Sequence, residues 1–276
     1  MKAVNVSSLC KAVKMSRANW YKDRKHRVRR EVDNGLIMAL AKEQRRLQPR
    51  LGGRKLHSVI GAGLADAGVK IGRDRFFGVL RKNHLLVPKL PKSCRTTNSR
   101  HSLKPYPNLI KDFKPTAPNQ VWVSDITYLR TDTSFVYLAL EMDLYSRKIV
   151  GYDCSDSLEA IGCINALNMG VSDLPAGRRP IHHSDRGCQY CCHEYVNLLN
   201  DNGFCISMTE VNHCAENAHA ERLNGILKQE YGLGAHFKNK KQAQLAVEQA
   251  IWLYNYRRPH MSLNMGIPAE VHARAA

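Results

Sequence analysis

The sequence predicts an α/β domain, a mixed five-stranded sheet with helices, preceded by an all-α helix-turn-helix region. Three observations carry this. Apolar residues recur at helical spacing three times between residues 32 and 86, and from residue 119 the pattern changes to that of strands alternating with helices. Charge divides along nearly the same line: residues 1–115 hold 28 Lys and Arg against 7 Asp and Glu, whereas residues 116–276 hold 14 against 17. The formal net charge of +18 therefore lies wholly in the front part, which points to a polyanion partner for that part and a different task for the rest.

Residues 1–31 contain SSLCKAVKMSRANWYK (7–22), a basic segment with apolar points at Leu9, Val13, Trp20 and Tyr21, read as part of a helix-turn-helix. Residues 32–86 read as a helix-turn-helix-like DNA-binding domain, the alternative being an ordinary helical bundle with basic solvated faces. Helices are expected at 36–47, 54–68 and 73–86, the last basic and with Phe77 and Leu80 inward, so that a helix, the short connector AGVKIG (67–72) and a basic helix follow in the order of a helix-turn-helix. Residues 87–118 hold six prolines, many basic side chains and little periodicity; they read as a basic linker able to lie along phosphates.

The domain at 119–276 opens with three strands, 121–130, 135–143 and 147–154, the last two joined by a tight turn at 144–146. A helix at 158–171 follows, then a strand at 180–184, a helix at 190–201, a strand at 204–209 and helices at 216–231 and 240–260. Three antiparallel strands, a helix, and then alternating strands and helices is the order of a ribonuclease-H-like fold. In the last helix Leu245, Ile251, Trp252 and Tyr256 are the residues expected to pack.

Carboxylates mark the chemistry. Asp125 is the single acid in VWVSDITYLR (121–130), where a charge costs stability unless it is partly exposed or bound to a cation. Asp185 follows a short apolar strand and precedes Arg186-Gly187, a loop at a strand end. Glu221 lies in a helical segment whose apolar stripe is Ala220, Leu223, Leu227 and Tyr231; Asn217, Asn224 and Lys228 share the neighbouring stripe with Glu221. Three carboxylates on separate elements suit hard divalent cations, Mg²⁺ or Mn²⁺, and the amides and lysine beside Glu221 suit phosphate. Asp143 competes for the same role but directly precedes a turn, so a structural role is expected for it.

Nine cysteines come without a secretory-type leader, so reduced thiols and a cytoplasmic, nucleoid-associated protein are expected. No apolar run approaches the roughly 20 residues of a membrane helix. The cluster Cys188, Cys191, Cys192 and His193 reads as a loop leading into a helix rather than a zinc site, since no second C-x-x-C lies at a suitable distance.

VWVSDITYL, LYSRKIVGY, HHSDRGCQY, ENAHAERLNGILKQEY and NYRRPHMSLNMGIPAE together resemble the bacterial insertion-sequence transposases of the DDE class, second-reading-frame type, whose core is like that of retroviral integrases. The likeness covers about 119–270 and, less specifically, 32–86. It implies that Asp125, Asp185 and Glu221 are a catalytic triad binding two Mg²⁺ or Mn²⁺ ions, with Asp125 bridging them, and that the reaction is DNA strand cleavage followed by strand transfer. It also implies that Lys228 stands near the DNA end, that His183, Asn217 and Asn224 support the metal-binding acids or position DNA, and that Arg257 and Arg258 contact DNA. The implied partners are the element's terminal repeats, target DNA, further copies in a synaptic complex, and an upstream-frame helix-turn-helix protein fused to or associated with this chain. Two departures are Cys188, where serine is common, and Cys214-Ala215, where a Gly, Asp or Pro turn is common. The alternative function is a catalytically incomplete DNA-binding subunit or regulator of transposition that needs the upstream-frame partner; a ribonuclease-H-like nuclease without strand transfer is a third.

Overall fold

A computed structural model describes residues 5–88, 105–210 and 217–275. The chain separates into two compact units, one of Met1–Leu47 with Leu51–Val87 and one of Gln48–Arg50 with Pro88–Ala276. Most of the expected linker, residues 89–104, lies outside the described residues, as does the departure at 214–215.

The first unit is helical. Helix α1 (Val6–Ala12) starts where the Asn5 side chain accepts a hydrogen bond from the Ser7 amide at 2.9 Å. Then come α2 (Arg17–Leu47), α3 (Gly53–Asp66) and α4 (Arg73–Lys82). Ile37, Ala41, Leu56, Ile60, Leu64, Phe76, Val79 and Leu80 make its core. Two expectations change here. The helix read at 36–47 is the last third of α2, which runs without a break through the boundary placed at residue 31, because no Gly, Pro or cap interrupts residues 17–34. On α4, Phe76 rather than Phe77 is fully buried, since Phe76, Val79 and Leu80 share the inward stripe. Residues 21–32 of α2 are exposed on every face.

The second unit is a mixed sheet between two helical layers. Strands β1 (Val121–Thr131), β2 (Phe135–Asp143) and β3 (Ile149–Ser155) form an antiparallel meander; β4 (Ile181–Ser184) and β5 (Cys205–Met208) add in parallel, giving the order β3-β2-β1-β4-β5. The expected five strands are all present. A sixth, β6 (His236–Phe237), pairs with Arg130 and Thr131 at the far end of β1; at two residues it carries no readable alternation. Strand β1 thus has β4 beside residues 121–123 and β6 beside 130–131, and neither beside 124–129.

Being central, β1 is buried on both faces. Val121 and Val123 look toward a layer made by α8 (Ala218–Glu230) and α9 (Lys240–Arg257), whereas Trp122 looks toward α5 (Ala160–Ser172) and α7 (His193–Asp201). Glycine lets α5 lie on the sheet: a Cβ at Gly151 would stand 1.9 Å from the Ala166 carbonyl oxygen. The helix expected at 190–201 is two, α6 (Cys188–Cys191) and α7, parted by the extended backbone of Cys192. On α9 the inward residues are Ala243, Val247, Ala250, Ile251 and Tyr254; Leu245, Trp252 and Tyr256, expected to pack, are about half exposed on the opposite side. Asn255 on α9 gives the edge strand β3 a side-chain partner, accepting from the Ile149 amide and donating to its carbonyl, both at 2.9 Å. A last helix, α10 (Pro268–Ala275), closes the described chain.

Candidate active site

The site forms where β1 loses its neighbour on one side. Asp125 follows Ser124 there, half-buried and facing α8; its Oδ1 accepts from the Ile126 amide at 3.0 Å and its Oδ2 from the Asn224 side chain at 2.7 Å. Val123 is paired with His183, so carrying that parallel register two residues on brings Asp185, just past the end of β4, abreast of Asp125. The Asp185 carboxylate is steadied by the Gly187 amide at 2.9 Å, and Arg186 ties the loop to β5 by donating to the Thr209 carbonyl at 2.6 Å. Glu221 lies exposed in the first turn of α8.

Electrostatics binds the three acids into one site. Burial, and next the negative charge of Asp185, push the Asp125 carboxyl up to about 7; Glu221 adds in the same direction, against the hydrogen bonds from Ile126 and Asn224. Among the described residues no three His, Cys, Asp or Glu side chains are grouped tightly enough to hold a metal ion. The three acids are thus coupled by charge without being gathered into a closed cage. Their chemistry nonetheless suits hard cations: the donors are all oxygen, they repel one another, and the buried Oδ1 atoms of Asn217 and Asn224 beside them have no hydrogen-bond partner. The Cys188–His193 stretch forms no zinc site within the described residues, and the seven cysteines there are free thiols.

Two integrase core domain models match the chain, one over residues 115–214, which include Asp125 and Asp185, and one over 202–268, which include Glu221. The uncharacterized 31 kDa protein of insertion element IS600 from Shigella sonnei is 34% identical over 267 residues, 95% of this chain and 96% of that protein. The transposase InsF for insertion sequence IS3A of Escherichia coli strain K12 is 30% identical over 267 residues, 93% of this chain and 90% of that one. The chain belongs to the IS3 family of insertion-sequence transposases. Among solved structures, the HTLV-2 integrase catalytic core domain in complex with magnesium aligns with 58% of this chain and 99% of its own, at 19% identity and a TM-score of 0.46.

In this IS3-family transposase the side chains expected around the triad divide into two groups. Lys228 stands near Asp125, its ammonium 4.9 Å from the Tyr128 ring centre; burial lowers its pKa, partly countered by the Asp125 charge. Arg257 is exposed and stacks on Trp252 at 5.4 Å. The others are buried and bonded within the protein. His183 is fully buried and bonded to Ser207 at 2.8 Å. Arg258, buried, forms a two-pronged ion pair with Glu230, both bonds 2.9 Å, joining the ends of α8 and α9. Asn217 donates to the Ser124 carbonyl at 3.0 Å and Asn224 to Asp125 itself, so both amides hold α8 against β1. Asp143 is structural: it accepts from Ser146 and from the Asn119 amide at the turn it precedes.

Sequence reasoning missed what lies behind the site. On the sheet face opposite Asp125, Glu141 is only 1% exposed and accepts from Ser124 and from Tyr195 at 2.9 Å, with His182 at 3.3 Å. Tyr195 and His182 are themselves 2.8 Å apart. The signal was there: Glu141 is an acid inside the apolar run of FVYLALEMD, two residues before the Asp143 that ends the strand, much as Asp125 lies inside its own.

Proposed function

We propose that this transposase cleaves and joins DNA at the ends of its insertion element, with Asp125, Asp185 and Glu221 holding two Mg²⁺ or Mn²⁺ ions. When bound, the ions supply Lewis acidity and lower the pKa of a coordinated oxygen nucleophile. Asp125, coupled by charge to both other acids, would hold the ions together with Asp185 and Glu221. In the first step a water oxygen attacks the scissile phosphorus and the 3′ oxygen leaves as a hydroxyl; in the second that 3′ hydroxyl attacks a target phosphodiester in line and displaces its 3′ oxygen. Lys228 serves the DNA end as a cation beside Asp125. Asn224 fixes the Asp125 carboxylate, and Asn217 fixes the strand that carries it.

The observation that carries this reading is Asp125, held by Asn224 at the gap in the sheet and coupled by charge to acids from two other elements, in a chain that integrase core domain models match over all three acids. Purified protein with Mn²⁺ and labelled element-end DNA is expected to nick the strand, and Glu221→Gln to abolish the nick. Identical products from both proteins would overturn the assignment.

The basic first unit is the proposed grip on DNA, with α4 as the basic helix offered to a groove. A second reading, a subunit that needs a helical partner, is favoured by residues 21–32. They are exposed on every face, although a free helix of about that length is marginal in water. Mixing the chain with the product of an upstream frame and measuring mass by light scattering distinguishes a lone recombinase from an obligate subunit, and also reports copies joined in a synaptic complex.

A further inference from the structure

Glu221 is the most exposed of the three acids and sits on a helix, so its place depends on what holds the first turns of α8. Asn217 and Asn224 tie that helix to β1. A third tie comes from the turn between β2 and β3, where Arg147 Nη1 donates to His219 Nδ1 at 2.9 Å, two residues before Glu221. Arginine has no acceptor, so the His219 Nδ1 must accept, which puts the ring proton on Nε2.

That turn is firmly built. The Asp143 amide donates to the Lys148 carbonyl and the Arg147 amide to the Asp143 carbonyl, both at 2.9 Å. The Asp143 carboxylate accepts from Ser146 Oγ at 2.6 Å and from the Ser146 and Asn119 amides at 2.7 Å, and Ser146 Oγ lies 2.9 Å from His272 Nδ1 of α10. Yet Arg147 holds φ +65°, a left-handed conformation that glycine adopts without strain and arginine does not. The backbone alone would favour glycine here, so what arginine adds is its side chain.

We propose that Arg147 is a positioning residue for Glu221: from the turn locked by Asp143, its guanidinium holds the first turn of α8 through His219 and sets where Glu221 stands relative to Asp125. This rests on the functional reading above insofar as Glu221 is a metal ligand; the mechanical tie itself does not.

Arg147→Gly separates the two effects. It suits the backbone, so the metal-free melting temperature is expected to hold or rise. The affinity for Mn²⁺ alone, titrated by calorimetry, is expected to fall about three- to ten-fold, the scale of one lost hydrogen bond. Amide exchange at residues 221–225 of the metal-free protein is expected to speed up, and Arg147→Lys, which restores a donor, to recover part of both losses. Unchanged Mn²⁺ affinity and exchange in Arg147→Gly, or a marked fall in its melting temperature, would overturn the proposal. Failure of wild type to bind Mn²⁺ would instead sink the functional reading, and the exchange measurement would then decide by itself whether Arg147 holds α8.

Discussion

Asp125 is asked to be ionised in a place that disfavours ionisation. Its folded-state carboxyl is raised from 3.8 to about 7, so its contribution to stability is full below 3.8 and is lost as pH rises through 7. In metal-free protein, Asp125→Asn is therefore expected to melt at about the same temperature as wild type near pH 4 and roughly 10 °C above it near pH 8, by calorimetry. Mn²⁺ is expected to raise the wild-type melting temperature at pH 8 and leave the variant's unchanged. Asn224→Ala removes a donor that favours the ionised form, so the pH midpoint of Mn²⁺ binding is expected to move upward. At this scale the sequence singles out acids more readily than it describes their neighbours. A lone acid in an apolar strand is conspicuous, whereas nothing in the residue types of His183, Asn217 or Arg258 tells whether a partner lies in the protein or in DNA. Only the packing of α8 on β1, and of α8 against α9, decides that.

The strands were legible because β1 to β5 carry runs bounded by turn residues, and the buried stripe of α8 was legible from its spacing. Helix α9 shows where periodicity stops. It carries two apolar stripes, one through Val247, Ile251 and Tyr254 and one through Leu245, Trp252 and Tyr256, and spacing alone does not say which one meets the sheet. Small Ala243 and Ala250 on the first stripe let that face approach closely. Behind the sheet, Glu141 joins β2 to β1 through Ser124, to β4 through His182 and to α7 through Tyr195. Removing it takes a charged partner from three buried polar groups at once, so Glu141→Ala is expected to cost about 2–4 kcal/mol in urea unfolding, well beyond an ordinary polar truncation. A loss below about 1 kcal/mol would mean that the cluster is not held together through this carboxylate.

For the molecule as a whole, the division of charge in the sequence anticipates two units, though not where they part. The boundary expected at residue 31 vanished into α2, because a helix of exposed, mostly charged residues carries no apolar period to reveal its continuity. If the first unit grips phosphates, DNA affinity falls steeply with salt. Replacing Arg24, Arg29 and Arg30 with Glu is then expected to flatten the log–log slope by about 3 in a binding titration, near one unit for each phosphate no longer neutralised. An unchanged slope would place the grip elsewhere on the chain. The fork in the sheet bears on how the site works. From residue 124 to 129, β1 is laced to β2 on one side and on the other has neither β4 nor β6 beside it, while Asn217 and Asn224 hold Ser124 and Asp125 from the side of α8. That gap leaves Asp125 approachable along one side of its strand, so an ion could meet its carboxylate without any strand of the sheet being parted.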